Sequence, residues 1–253
     1  MDEKSIPALN SETLVPASTL TPKPANGAVA GGAPPPPPSS ETGEVRIKLL
    51  PPSAADDRPL VETLTKLVNV VYGDAEGNIY KPGFERTTPG DIAELMRAGQ
   101  FAVAFLFPPA SSSDAALPTG NGNGNGTSSD SESEQQQGGK PIGCIYVKQL
   151  SPTTGECGML ALDATYRGGG LGRDLVRFAE ARCRRDLGLA TMRLEVLVPV
   201  HFEHEGKARL QAWYARMGYV MTQLRDFGEA YPHLNKLLTG PTEYRVFEKR
   251  LDA

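Results

Sequence analysis

The sequence predicts an α+β (mixed α/β) fold, one mixed sheet with helices packed against it. Two patterns carry this. Some strand-like runs follow one another directly, as in hairpins, while others are separated by a helical run, as in crossovers. A third observation sets the extent of the core. Residues 1–43 and 108–140 of the 253-residue chain are rich in Pro, Gly, Ser, Asn or Gln and poor in large apolar side chains. Such stretches cannot bury enough surface to offset chain entropy, so both are expected to be disordered. One domain remains, residues 44–253, with an insert at 108–140.

The elements follow in order. "EVRIKLLP", from Glu44, alternates Val45, Ile47 and Leu49 with charged neighbours, as a half-buried strand does. "DDRPLVETLTKLVNVVY" sets Leu60, Leu64, Leu67, Val68 and Val71 at helical steps, with Asp56 or Asp57 as the cap. "TTPGDIAELMRAG" opens on Thr88 as cap and Pro89 at the first helical position, and stops at Gly99. "QFAVAFLF" and "PIGCIYVKQL" are neighbouring antiparallel strands. The insert replaces their hairpin loop, a tolerable excursion because closure entropy grows only logarithmically with length. "GECGMLALDA" is apolar on both faces, as a central strand is. A helix with Leu175, Ala179, Cys183 and Leu187 in one row comes next, closed by Gly188. Strand "TMRLEVLVPV", helix "EGKARLQAWYARMG" and strands "YVMTQLRDF" and "TEYRVFEKRL" complete the chain.

A net charge of −4 argues against a broad nucleic-acid surface. The three cysteines, Cys144, Cys157 and Cys183, have neither metal spacing nor a disulfide framework, so no metal is expected and a reducing compartment is. No apolar run approaches the roughly 18 residues of a membrane span, and the N-terminus has no signal-peptide pattern. The expectation is a soluble protein of the cytoplasm or nucleus, with no membrane or nucleic-acid partner; oligomeric state is left open.

The densest motif is "YRGGGLGRDLV", from Tyr166, with Gly168, Gly169, Gly170 and Gly172 ahead of a helix. A dinucleotide fingerprint would need a third glycine where Arg173 or Leu175 stands, and a phosphate-binding P-loop would need a lysine. Neither is met. What the residues can make is an anion site: glycines let backbone N–H groups converge, and the helix beginning near Leu171 adds its positive end. Arg173 adds charge at the rim, and Arg167 can fix the loop or touch phosphate.

"LALDATYRGGGLGRDLV" resembles the acetyl-CoA signature of the GNAT N-acetyltransferase superfamily, with Ala164 where that family often has proline. The element order of the core is similar too. The resemblance implies the GNAT acyl-CoA N-acyltransferase fold, a central mixed sheet with a splayed, bulged strand and helices on both faces. It implies acetyl-CoA as co-substrate. Its pyrophosphate would lie on Arg167, Gly168, Gly169, Gly170, Leu171, Gly172 and Arg173, and its pantetheine arm along the backbone of Leu160 and Leu162. The implied activity is direct acetyl transfer to a primary amine of a small molecule, amino acid or protein. The alternative is a catalytically inactive CoA-binding scaffold or sensor.

Direct transfer needs a base for the amine and an acid for the leaving thiolate. "WYARMGY" is similar to the family's tyrosine motif, which puts Tyr214 in the place of the acid. An ordinary phenol stays protonated at neutral pH. The family often has asparagine where Lys207 stands. For the base, Glu156 stands at the offset of the glutamate used by histone acetyltransferases of the superfamily; Glu195, His201 and His204 remain rivals. For the acceptor, Arg86 could hold a carboxylate, and Asp74, Glu76 or Glu229 an amine.

Overall fold

The structure, a computed structural model, describes residues 43–109 and 139–251. Most of the two stretches expected to be disordered lies outside the described residues. At the second boundary the third strand already starts at Lys140, so that residue belongs to the sheet and not to the insert.

The described elements are β1 (Glu44–Leu49), α1 (Arg58–Glu76), α2 (Pro89–Arg97), β2 (Phe101–Phe107), β3 (Lys140–Gln149), β4 (Thr154–Leu162), α3 (Leu171–Ala181), β5 (Thr191–Pro199), α4 (Glu205–Arg216), β6 (Val220–Asp226), α5 (Phe227–Ala230), α6 (Pro232–Asn235) and β7 (Thr242–Arg250). The short α5 and α6 fall in a stretch with no sequence periodicity to announce them. Seven strands form one sheet in the order β1-β2-β3-β4-β5-β7-β6. β4 and β5 run parallel, and the other neighbours run antiparallel. The β2–β3 ladder runs to Leu106↔Lys140, so the long insert leaves from a hairpin tip.

Local chemistry fixes the helix ends. Asp57, rather than Asp56, caps α1 by accepting from the Leu60 N–H at 3.1 Å. Thr88 and Asp91 form a reciprocal capping box at α2, behind Pro89. α3 ends in a widened turn over Arg182–Asp186, and Gly188 takes the left-handed conformation (φ 65°) that lets the chain turn into β5.

Each sheet face has its own core. α3 and α4 cover one face, with Leu175, Val176, Ala179, Met192, Leu194, Tyr214 and Tyr219 buried together. α1 and α2 cover the other, with Leu64, Val68, Ile92, Met96, Phe101 and Val103. Each such Leu, Ile, Val, Phe or Met contributes about 1.5–3 kcal/mol on burial. The sheet between them is therefore a firm frame for whatever opens within it.

Candidate active site

The sheet opens between its two parallel strands. β4 and β5 pair only at Thr154↔Thr191, Gly155↔Met192 and Glu156↔Arg193. Beyond that point β5 stays with β7 as far as Pro199↔Thr242, while β4 follows β3 to Gly143↔Leu162. The parting is built into the backbone. Met159 is the one described non-glycine residue with positive φ, 51°, and the β3–β4 register slips between Cys144 and Tyr146. That conformation costs about 1–2 kcal/mol for an L-residue, held by the packing around it. The extra residue also swaps faces. Before it, Cys157 packs on the α3 side; after it, Leu160 and Leu162 do, while Met159 and Ala161 join the α1 side. Among the described residues the β4 edge facing the gap has no ladder partner past Glu156, so its backbone groups are available to a ligand lying there.

A cavity of about 770 Å³ fills the gap. One end is the glycine turn. Asp163 accepts from the Thr165 N–H at 2.9 Å, and the Arg167 Nε and Nη2 donate to the Leu162 carbonyl at 3.4 Å each, tying the loop to the strand end. Gly168 (φ 86°) and Gly170 (φ 94°) are left-handed, which only glycine adopts without strain. Gly170 caps α3 and has no side chain to satisfy the first helical N–H groups, which leaves them for an anion. A Cβ at Gly172 would stand 3.5 Å from Leu162 Cδ1 and 3.9 Å from the Trp213 ring, inside the cleft. Leu160, Leu162, Arg167, Gly168, Gly170, Gly172 and Arg173 all line the cavity. Gly169 and Leu171 are not among its lining residues; Leu171 packs against the α3-side core. The cradle suits a pyrophosphate-bearing ligand: paired anionic groups at the helix start, a slender arm along the open β4 edge.

Tyr214 lines the same cavity and is only 7% exposed. Tyr219 meets its ring edge-on at 5.7 Å. Burial drives its phenol well above the ordinary value, so it stays protonated.

Glu156 is buried at the point where the strands part, and it is not among the residues lining the cavity. The Tyr146 hydroxyl donates to its Oε1 at 2.8 Å, and Lys148 Nζ lies 2.9 Å from the same oxygen. Arg193 Nε stands 4.0 Å from Oε2, and the Arg193 guanidinium also pairs with Glu195, which Arg225 holds at 3.2 Å from the other side. Lys148, Glu156, Arg193, Glu195 and Arg225 thus alternate in sign from β3 to β6. Glu195 lines the cavity but is held by two arginines. His204 is a capping residue: its Nδ1 accepts from the Lys207 N–H at 3.3 Å, which leaves the proton on Nε2. His201 engages the Pro241 carbonyl at 3.2 Å and lies off the cavity.

The far wall carries Tyr72, Glu76, Tyr80, Arg86, Phe227 and Tyr244. Lys207 forms a buried ion pair with Glu76, joining α4 to the end of α1. Of the remaining acceptor candidates, Asp74 is exposed at the cavity edge, and Glu229 is not among the lining residues.

Residues 133–221 match the family model described as "Acetyltransferase (GNAT) domain". That stretch is similar to a GNAT acetyltransferase domain. A search of curated proteins returns no sequence match. Among solved structures, the PaiA N-acetyltransferase of Thermoplasma acidophilum in complex with coenzyme A is 16% identical, with 82% of this chain and 99% of that one covered at a TM-score of 0.51. An aminoglycoside 6'-N-acetyltransferase complexed with coenzyme A is 12% identical, covering 81% and 97%, also at 0.51. These likenesses establish the GNAT fold, with its mixed sheet and flanking helices.

Sequence reasoning singled out none of Tyr146, Tyr72, Tyr80 and Tyr244 by itself, though Tyr72 and Tyr80 lie in the loop stretch expected to build the acceptor pocket; all four line the cavity. Tyr146 had a signal, since it is the one aromatic in the aliphatic run "PIGCIYV" of a central strand. The others lie on elements that meet only in the folded chain.

Proposed function

We propose that this domain transfers the acetyl group of acetyl-CoA directly to a primary amine, both substrates being bound in the cleft at once. The observation that carries this reading is the joining, in one cavity, of the glycine cradle, the buried phenol of Tyr214 and the phenol of Tyr146. The pyrophosphate rests on Gly168, Gly170 and Gly172 with Arg167 and Arg173 beside it; Gly169 and Leu171 shape the turn without facing the ligand. The pantetheine arm pairs with β4 along Leu160 and Leu162.

Glu156 is the terminal base and works through Tyr146. The ammonium of the acceptor gives a proton to the Tyr146 oxygen, while the Tyr146 proton passes to Glu156. The nitrogen lone pair then attacks the thioester carbonyl, the C–S bond breaks, the leaving thiolate takes the proton of Tyr214, and the second proton shed by the new amide nitrogen restores the Tyr214 phenol, so the one proton released overall leaves from Glu156. Burial raises phenol and thiol alike, so a pocket that holds the Tyr214 proton also makes the departing thiolate a stronger proton acceptor.

The test is to incubate the full chain with acetyl-CoA and a panel of primary amines, following free thiol by colour and N-acetyl product by mass. Thiol and product should appear together with at least one amine. Tight CoA binding with no turnover of any amine would leave a scaffold in place of an enzyme.

A further inference from the structure

We infer that the acceptor of this domain is a free amino acid or close analogue, an amine whose carboxylate is held by Arg86; this rests on the acetyltransferase reading above. Arg86 lies on the segment between α1 and α2 and lines the cavity at its far wall. Its Nε is buried and has no hydrogen-bond partner among the described residues, and its Cζ lies 5.1 Å from the centre of the Tyr72 ring. The carboxylate whose charge reaches it, Glu76, is already paired with Lys207. Two cations therefore share one buried carboxylate, and the wall keeps one positive charge in excess.

The other acids of the cavity do not correct this. Glu195 is clamped between Arg193 and Arg225, and Asp74 is exposed at the edge. Tyr72, Tyr80 and Tyr244, whose phenols burial pushes upward, are neutral walls that can donate hydrogen bonds but bring no negative charge. A part-buried guanidinium that shares its one nearby carboxylate with a lysine is under-compensated, and the planar fork of an arginine matches a carboxylate in bidentate geometry. The same excess charge repels an acceptor that carries several amines, because like charges are poorly screened away from solvent. The acceptor that satisfies the wall brings one amine and one carboxylate.

The test uses the full chain, acetyl-CoA and four kinds of acceptor: the common free amino acids, their carboxamides, dipeptide amides with Asp or Glu in second place, and spermidine. Free amino acids should exceed their carboxamides in kcat/KM by about 100-fold, the scale of losing one partner of a buried charge pair. Arg86→Gln should reduce that preference to under about 10-fold by raising KM for the acids, with KM for acetyl-CoA unchanged. Should that variant fail to fold, the wild-type comparison decides alone. Carboxamides or spermidine equal to the acids, or a preference that survives Arg86→Gln, overturns the anion site and leaves the acetyltransferase reading intact. Preference for the acidic dipeptide amides overturns the free amino acid. Absence of turnover with every acceptor overturns both readings together.

Discussion

The Tyr146 hydroxyl donates a 2.8 Å hydrogen bond to Oε1 of Glu156, on a strand pair that sets Tyr146 opposite Gly158 and Lys148 opposite Glu156. The bond runs diagonally from the cleft to a carboxylate behind its wall. If the proton of the amine travels this way, Tyr146→Phe should lower kcat by about 100-fold, at the modest end of acid–base contributions. CoA affinity should stay the same. Steady-state rates beside a CoA titration check both, and a kcat within about twofold of wild type would remove Tyr146 from the relay.

Gly158 makes that diagonal possible. A Cβ there would sit 2.7 Å from the Tyr146 ring and hydroxyl, so Gly158→Ala must push the phenol off Glu156. The backbone can accept alanine, because Gly158 is not among the positive-φ glycines. The variant should fold and lose about as much activity as Tyr146→Phe. The double variant should be scarcely worse than either single one, since both break the same link. Additive losses in the cycle would show that the two act separately.

The Glu76–Lys207 pair joins residues on α1 and α4 that are both buried. Lys207→Met removes the direct partner of Glu76, leaves it only the charge of Arg86, and should cost about 1–3 kcal/mol, read from the urea midpoint. Replacing both, with Glu76→Gln added, should recover part of that loss. If the single variant is as stable as wild type, the pair does not hold the two helices.

Alkaline conditions should weaken the fold in a defined window. Burial pushes the Cys144 thiol from 9.0 to about 12 and the Tyr72 phenol from 10.0 to about 12. In the unfolded chain both ionise earlier, so above pH 9 the unfolded state holds fewer protons than the folded one. Their contribution is fully present below pH 9 and is lost as pH rises toward 12, by up to about 1.4 kcal/mol per pH unit for each group. Urea midpoints at pH 8 and pH 11 should differ, and Cys144→Ala should narrow the difference. An unchanged gap in that variant would contradict the assignment.

What could be read in advance was what local chemistry decides. The Thr88 cap with Pro89 behind it, the alternation from Glu44, and the glycines before α3 each act over a few neighbouring residues, and the structure places each where the sequence put it. The surroundings of Glu156 were not legible, because its contact with Tyr146 depends on which residues of β3 and β4 stand opposite one another. The same holds for Lys207. It stands where asparagine is frequent in the GNAT family, but its partner Glu76 lies 131 residues away. Glu156 stands near the start of β4, as its place in the sequence indicated, and only the packing shows that a tyrosine stands between it and the cleft.

The most direct test of the account is calorimetric titration of coenzyme A into the full chain and into Gly172→Val. Gly172 is helical with ordinary φ, and its added side chain would point between Leu162 and Trp213 into the cradle without straining the backbone. The wild type should bind one equivalent of CoA, and the valine variant should bind at least about 100-fold more weakly with an unchanged thermal midpoint, since blocked backbone donors cannot be replaced. Equal binding by both proteins, or no binding by the wild type, would contradict the cleft between β4 and β5 as the seat of the cofactor.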